Sequence, residues 1–170
     1  IAAALASEKV IEAILAGTKV VMSGHTLSAN PQSCAVSLAV LEYLEKNKIV
    51  SEVESKGDYL MNLLLQLKNQ YSFIGDIRGK GLLLGIEFVE DAANKTPFPR
   101  NAQITQTMIT LAKEKGLLVY PAGAGIDGVN GDSIIVSPPL RITKSEIEEL
   151  VSLLVETFEG FSKQLKSGGD

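Results

Sequence analysis

Apolar and polar positions alternate along this chain in a way that predicts helices first and short strands later. Val10, Ile11 and Ile14 share one face of a short helix that Ser7 can cap and that Gly17 stops after Ala16. Lys19-Val20-Val21-Met22 then predicts a brief strand or extended approach to a loop at Gly24. From Pro31 to about Glu45 apolar residues lie almost all round the helix, among them Ala35, Val36, Leu38, Ala39, Val40, Leu41 and Leu44. A helix so apolar is expected to be buried between layers.

After a break at Lys46-Asn47-Lys48, an amphipathic helix carries Val50, Val53, Leu60, Leu63, Leu64 and Leu67 as its inner stripe. Phe73 to Val89 predicts two strands about Gly79-Lys80-Gly81, where glycine permits a tight hairpin. A polar loop from Asp91 to Arg100, holding Pro97 and Pro99, leads to a helix marked by Ile104, Met108, Leu111 and Ala112 and ended by Gly116. Leu117 to Tyr120 predicts a strand, Pro121 to Asp132 a flexible glycine-rich excursion and a candidate mobile loop, and Ser133 to Val136 another strand. Thr143 and Glu146 form a capping box for the last helix, whose stripe is Ile147, Leu150, Val151, Leu154, Val155, Phe158 and Phe161. The expected class is α/β, with an antiparallel or mixed sheet and helices on one face of an α+β domain.

Composition narrows the partners. The 170 residues are 45% hydrophobic and carry a formal charge of -4, with a pI near 5.1. Such a chain can bury one sizeable core, or one domain plus a piece of another. It has neither the total charge nor a local Lys/Arg run to suit nucleic acid or an anionic membrane surface. No apolar run reaches membrane-spanning length. The single cysteine, Cys34, excludes an internal disulfide and reads as a small core residue on an apolar helix. The lack of a secretory leader favours the cytoplasm. Ile1-Ala2-Ala3-Ala4-Leu5 enters without a cap or polar lead-in, as if the chain were cut from the middle of an element.

The chemistry concentrates in Gly24-His25-Thr26-Leu27-Ser28-Ala29-Asn30-Pro31. Asn30 suits an N-cap and Pro31 the first helical position, so the N–H groups and dipole of the following helix face a loop holding a hydroxyl and the sole histidine. Such a cluster can hold a phosphate. With Cys34-Ala35-Val36 and Leu41-Glu42-Tyr43-Leu44-Glu45, this segment resembles a signature of the class III (omega) aminotransferases, enzymes dependent on pyridoxal 5'-phosphate. Ile77-Arg78-Gly79-Lys80-Gly81-Leu82-Leu83-Leu84-Gly85-Ile86-Glu87 is similar to a second family block, and Ile135-Val136-Ser137-Pro138-Pro139-Leu140 to a third. The three occur in the family's order.

The resemblance implies the C-terminal portion of a fold-type-I enzyme. Residues 1 to about 45 would be the trailing part of the large cofactor domain with the linking helix, and 46 to 170 the small C-terminal domain. It implies that Thr26 reaches across a homodimer interface to the cofactor phosphate in the partner subunit, with Gly24 and His25 shaping the same loop. The reading of Thr26 from its residues alone is open: its hydroxyl can equally satisfy its own backbone in an ordinary turn. His25 has no Cys, Asp or Glu at ligand spacing, so positioning of the loop is preferred to metal binding or catalysis.

Gly79-Lys80-Gly81 lacks the Walker spacing, and Lys80 on a turn has no burial to lower its pKa. Arg78 matches a family position taken to be structural, and Arg141 one where the family varies. Ser133 to Val136 holds no arginine where ornithine-type members place one, which leaves omega-amino acids, amines or another carboxylate anchor. Leu27 stands where an aromatic residue is frequent. The catalytic lysine and the aspartate beside the pyridine nitrogen are implied upstream of Ile1, so the parent would be the transaminase, acting on an amine and a 2-oxo acid, and the isolated chain inactive. Two alternatives remain at this point, an aminomutase on the same scaffold and a non-catalytic α+β interaction module.

Overall fold

A computed structural model describes residues 2–21 and 24–167. The chain divides into two compact units, 1–48 and 49–170.

The first unit contains two helices, α1 (Glu8–Ala16) and α2 (Pro31–Lys46). Ser7 precedes α1 in extended conformation, but its side chain makes no cap. Of the brief strand or extended approach expected beyond Gly17, no strand forms among the described residues. Lys19 takes a left-handed φ of 57°, and its N–H reaches back to the Ile14 carbonyl at 3.0 Å, so Lys19 serves to close α1. Met22, the last residue of that expected strand, lies outside the described residues. Helix α2 forms where expected, with Asn30 Oδ1 accepting from the Ser33 N–H at 3.0 Å. The expected burial does not hold: no residue of α2 is buried, and Val36, Leu38, Val40 and Leu41 are all exposed. Cys34 is exposed as well, which corrects its reading as a core residue.

The second unit holds the core. Helix α3 (Ile49–Gln70) buries Ile49, Gly57, Leu60, Leu64 and Leu67, while Val50, expected on the inner stripe, faces solvent. Strands β1 (Ile74–Lys80) and β2 (Leu83–Phe88) form the expected hairpin, although β1 runs through Gly79 and Lys80 and the turn falls on Gly81-Leu82. Gly79 and Gly81 both take positive φ, 148° and 55°. Gly57 of α3 lies against this turn: a Cβ on it would come within 2.4 Å of the Gly81 carbonyl. Two glycines thereby let a helix touch a hairpin backbone.

A 3-10 turn (Arg100–Ala102) leads into α4 (Ile104–Glu114). Gln103 gives α4 no side-chain cap. Asp132 supplies it from a distance, its Oδ1 accepting from the Thr105 N–H at 2.8 Å and hydroxyl at 2.7 Å. Of the strand expected at Leu117 to Tyr120, only Tyr120 lies in β3 (Tyr120–Pro121). Gly116 turns left-handed with φ 83°, and the Leu117 N–H closes on Ala112 at 2.9 Å. That closure commits Leu117 to ending α4.

Residues 122–131 are tied across their base by Ala122 N–H to Ser133 O at 3.0 Å and Ala124 N–H to Gly131 O at 2.9 Å. The Ser133 hydroxyl also donates to the Ala122 carbonyl. Strand β4 (Asp132–Val136) follows, then α5 (Lys144–Ser167). The capping box of α5 is present: the Glu146 carboxylate accepts from the Thr143 N–H at 2.7 Å and hydroxyl at 2.8 Å.

The sheet order is β1-β2-β4-β3 with every pair antiparallel. Leu84, Ile86 and Phe88 share the buried face with Ile134 and Val136, paired as Ile86 with Ile134 and Leu84 with Val136. A register irregularity between Ile74 and Asp76 lets Ile74 and Ile77, three apart, both face inward. Phe158 packs edge-on against Tyr71, Phe73 and Phe88 with ring centroids 5.4 to 6.0 Å apart. Full burial of such side chains stabilises by about 1.5–3 kcal/mol each.

Candidate functional site

The loop before α2 is built from two successive turns. The Ser28 N–H donates to the His25 carbonyl at 2.9 Å, placing Thr26 and Leu27 at the tip of the first. The Asn30 N–H donates to Leu27 O at 3.3 Å, closing the second about Ser28 and Ala29. Ala29 takes a left-handed φ of 58° there. The chain then enters α2, where the Cys34 N–H bonds Asn30 O at 3.0 Å and Pro31 occupies the first turn. Gly24, His25 and Thr26 thus lie on one short loop leading into the positive end of a 16-residue helix.

Among the described residues Thr26 has no hydrogen-bond partner. Its hydroxyl makes no bond to the described backbone of its own loop. The second bond that braces the first turn is the Ser28 hydroxyl oxygen accepting from the His25 N–H at 3.2 Å. Ser28 was not expected to act, though a serine three residues after an open N–H is a known local acceptor. A Cβ on Gly24 would meet nothing within 4 Å, so the loop is open on this side. An exposed donor at a helix N-terminus suits an anionic ligand such as phosphate.

The other candidate residues are engaged elsewhere. Arg78 donates to Glu87 at 2.6 Å and Asp76 at 2.9 Å across the outer face of the hairpin. Hydrogen bonds to Glu87 and then Asp76 raise its pKa further. Burial lifts the Asp76 carboxyl, but hydrogen bonds from Arg78, Lys68 and the Ile77 backbone outweigh it and hold the group below the usual carboxylate range. Arg141 borders a groove of about 700 Å³ with Leu117, Val119, Pro139 and Leu150. Lys80 is exposed at the end of β1. No group of three or more metal-ligating side chains occurs among the described residues, and no described helix is long and apolar enough to cross a membrane.

The fold as a whole is similar to that of known proteins. An amine transaminase from an uncultivated Pseudomonas species, solved in its PLP-bound form, superposes with a TM-score of 0.76 at 30% identity, covering 89% of this chain and 33% of that one. An (S)-enantioselective omega-transaminase from Thermomicrobium roseum superposes with a TM-score of 0.77 at 28% identity, covering 91% of this chain and 32% of that one. The fold is that of part of a fold-type-I transaminase. The chain belongs to the class-III aminotransferase family, whose profile matches residues 1–158. An uncharacterized aminotransferase of Bacillus subtilis, YodT, is 47% identical over 166 residues, which are 98% of this chain and 37% of that protein. The chain therefore spans about a third of the length of these relatives.

Proposed function

We propose that this chain is the C-terminal part of a pyridoxal-phosphate-dependent transaminase subunit that moves an amino group from an amine or omega-amino acid to a 2-oxo acid. The observation that carries the reading is Thr26, a donor with no partner among the described residues, on a braced turn leading into the N-terminus of α2, in a chain of the class-III family. Pyridoxal phosphate, when bound, draws electrons from the substrate carbon that carries the amino group. The chain's own part is to bind and orient. Thr26 donates its hydroxyl hydrogen to a phosphate oxygen, and the α2 N-terminus adds a favourable field. Gly24 and His25 shape the loop that presents it.

The cofactor so held belongs to the partner subunit, which makes the working unit a homodimer with a shared site, in the cytoplasm. Residues 1 to 45 belong with the large cofactor domain and 46 to 170 form the small domain. The apolar surface that α2 leaves exposed supports that division. The anchoring lysine and the aspartate beside the pyridine nitrogen come from residues upstream of Ile1, so chain 1–170 alone is inactive.

The test is Thr26→Val in the full-length subunit, with the affinity for pyridoxal phosphate read by titration. Loss of one hydrogen bond to a charged group predicts affinity lowered by about tenfold or more. Unchanged affinity removes the assignment of Thr26. Steady turnover by purified chain 1–170 with added cofactor contradicts the division of labour.

A further inference from the structure

We infer that Ser28 is a positioning residue for the phosphate contact, setting the geometry of Thr26 through the main chain of His25. The inference rests on the reading of Thr26 above. Two hydrogen bonds join residues 25 and 28: the Ser28 N–H to His25 O at 2.9 Å, and the His25 N–H to Ser28 Oγ at 3.2 Å. The first is an ordinary turn closure that any residue at 28 makes. The second needs a side-chain oxygen at that position and turns a single closure into a two-point brace.

Thr26 and Leu27 are the only residues inside the brace. Thr26 has no partner of its own among the described residues, and Leu27 is 78% exposed, so neither packing nor bonding at the tip itself fixes the hydroxyl. The constraint comes from the base of the turn. On the other side, Asn30 ties the base to α2 through Ser33 at 3.0 Å. Ser28 thus stands between a capped helix end and a donor with no partner among the described residues. A donor held in place before its anion arrives loses less freedom on binding, which raises affinity without adding a contact.

The test is a double-mutant cycle in the full-length subunit, with pyridoxal 5'-phosphate affinity measured by titration of cofactor-free protein. Ser28→Ala removes the acceptor and should weaken binding about three- to tenfold, the worth of one modest hydrogen bond. Ser28→Thr keeps the oxygen and should stay within about twofold. In a Thr26→Val background Ser28→Ala should add nothing, because the residue it positions has lost its donor. Ser28→Cys, a far weaker acceptor of similar size, replaces Ser28→Ala if the alanine variant does not fold.

Equal loss in both backgrounds, no loss in either, or the same loss in Ser28→Thr overturns the role of Ser28 while leaving the Thr26 contact standing. A Thr26→Val variant that binds cofactor normally removes the underlying reading, and the inference with it.

Discussion

Helices α2 and α5 are similarly rich in leucine and valine, yet α5 buries Ile147, Leu154, Phe158 and Phe161 and α2 buries nothing. The difference lies in what their sequences ask for. Apolar positions in α5 fall on one stripe with charges opposite, so α3, α4 and Phe88 of the sheet complete it. In α2 they run nearly all round, and a helix of that kind needs cover on several sides. Residues 49–170 supply their own core, whereas residues 1–48 carry the candidate phosphate loop on a helix that buries no residue.

The sharpest break of this comparison is a pair of truncations in chain 1–170. Phe158→Ala should cost about 3–5 kcal/mol in denaturant unfolding, while Leu41→Ala, at 62% exposure, should stay within about 0.5 kcal/mol. Comparable losses would erase the contrast. Gly57→Ala tests the core at one backbone contact. Helix propensity alone favours alanine by about 1 kcal/mol, but the 2.4 Å approach to Gly81 should reverse the sign and cost about 1–3 kcal/mol. A stabilised Gly57→Ala would show that the hairpin yields easily.

Smaller again is the cap of α5, where Thr143→Ala should cost about 1 kcal/mol. The Glu146 carboxyl is held below its ordinary value, first by the Thr143 N–H and then by its hydroxyl. A group whose folded pKa is depressed contributes stability above its unfolded pKa and loses it as pH falls through the folded value. Stability should therefore decline on acidification below roughly pH 4.5, and Glu146→Gln should flatten that decline. Asp76, lowered on balance by Arg78 and Lys68 against its burial, acts in the same direction.

The elements legible in the sequence are those whose determinants are local. Thr143 and Glu146 announced α5, Gly79 to Gly81 announced the hairpin, and the three family blocks announced the fold. What escaped depends on distant partners or on the detailed geometry of a turn or helix end. Asp132 caps α4 from 27 residues away, and no spacing near Gln103 points to it. The strand at Leu117 was lost because Gly116 ends α4 with a closure that consumes Leu117. The burial expected for α2, and for Cys34 within it, rested on its apolar residues, but burial is a property of a helix and its neighbours together. At the candidate site, Asn30 and Thr26 could be named from the sequence; Ser28 could not, because its bond to the His25 N–H depends on the turn that residues 25–28 adopt and not on a helix-start pattern.

The measurement that most directly tests the account is amide hydrogen exchange of α2, in chain 1–170 and again in the full-length subunit. The account predicts that α2 amides in the isolated chain exchange far faster than those of α5 and the sheet, and that they become strongly protected in the full-length subunit. Protection of α2 equal to the core in the isolated chain, or fast exchange persisting in the full-length subunit, would contradict the claim that this helix is completed by the rest of the enzyme.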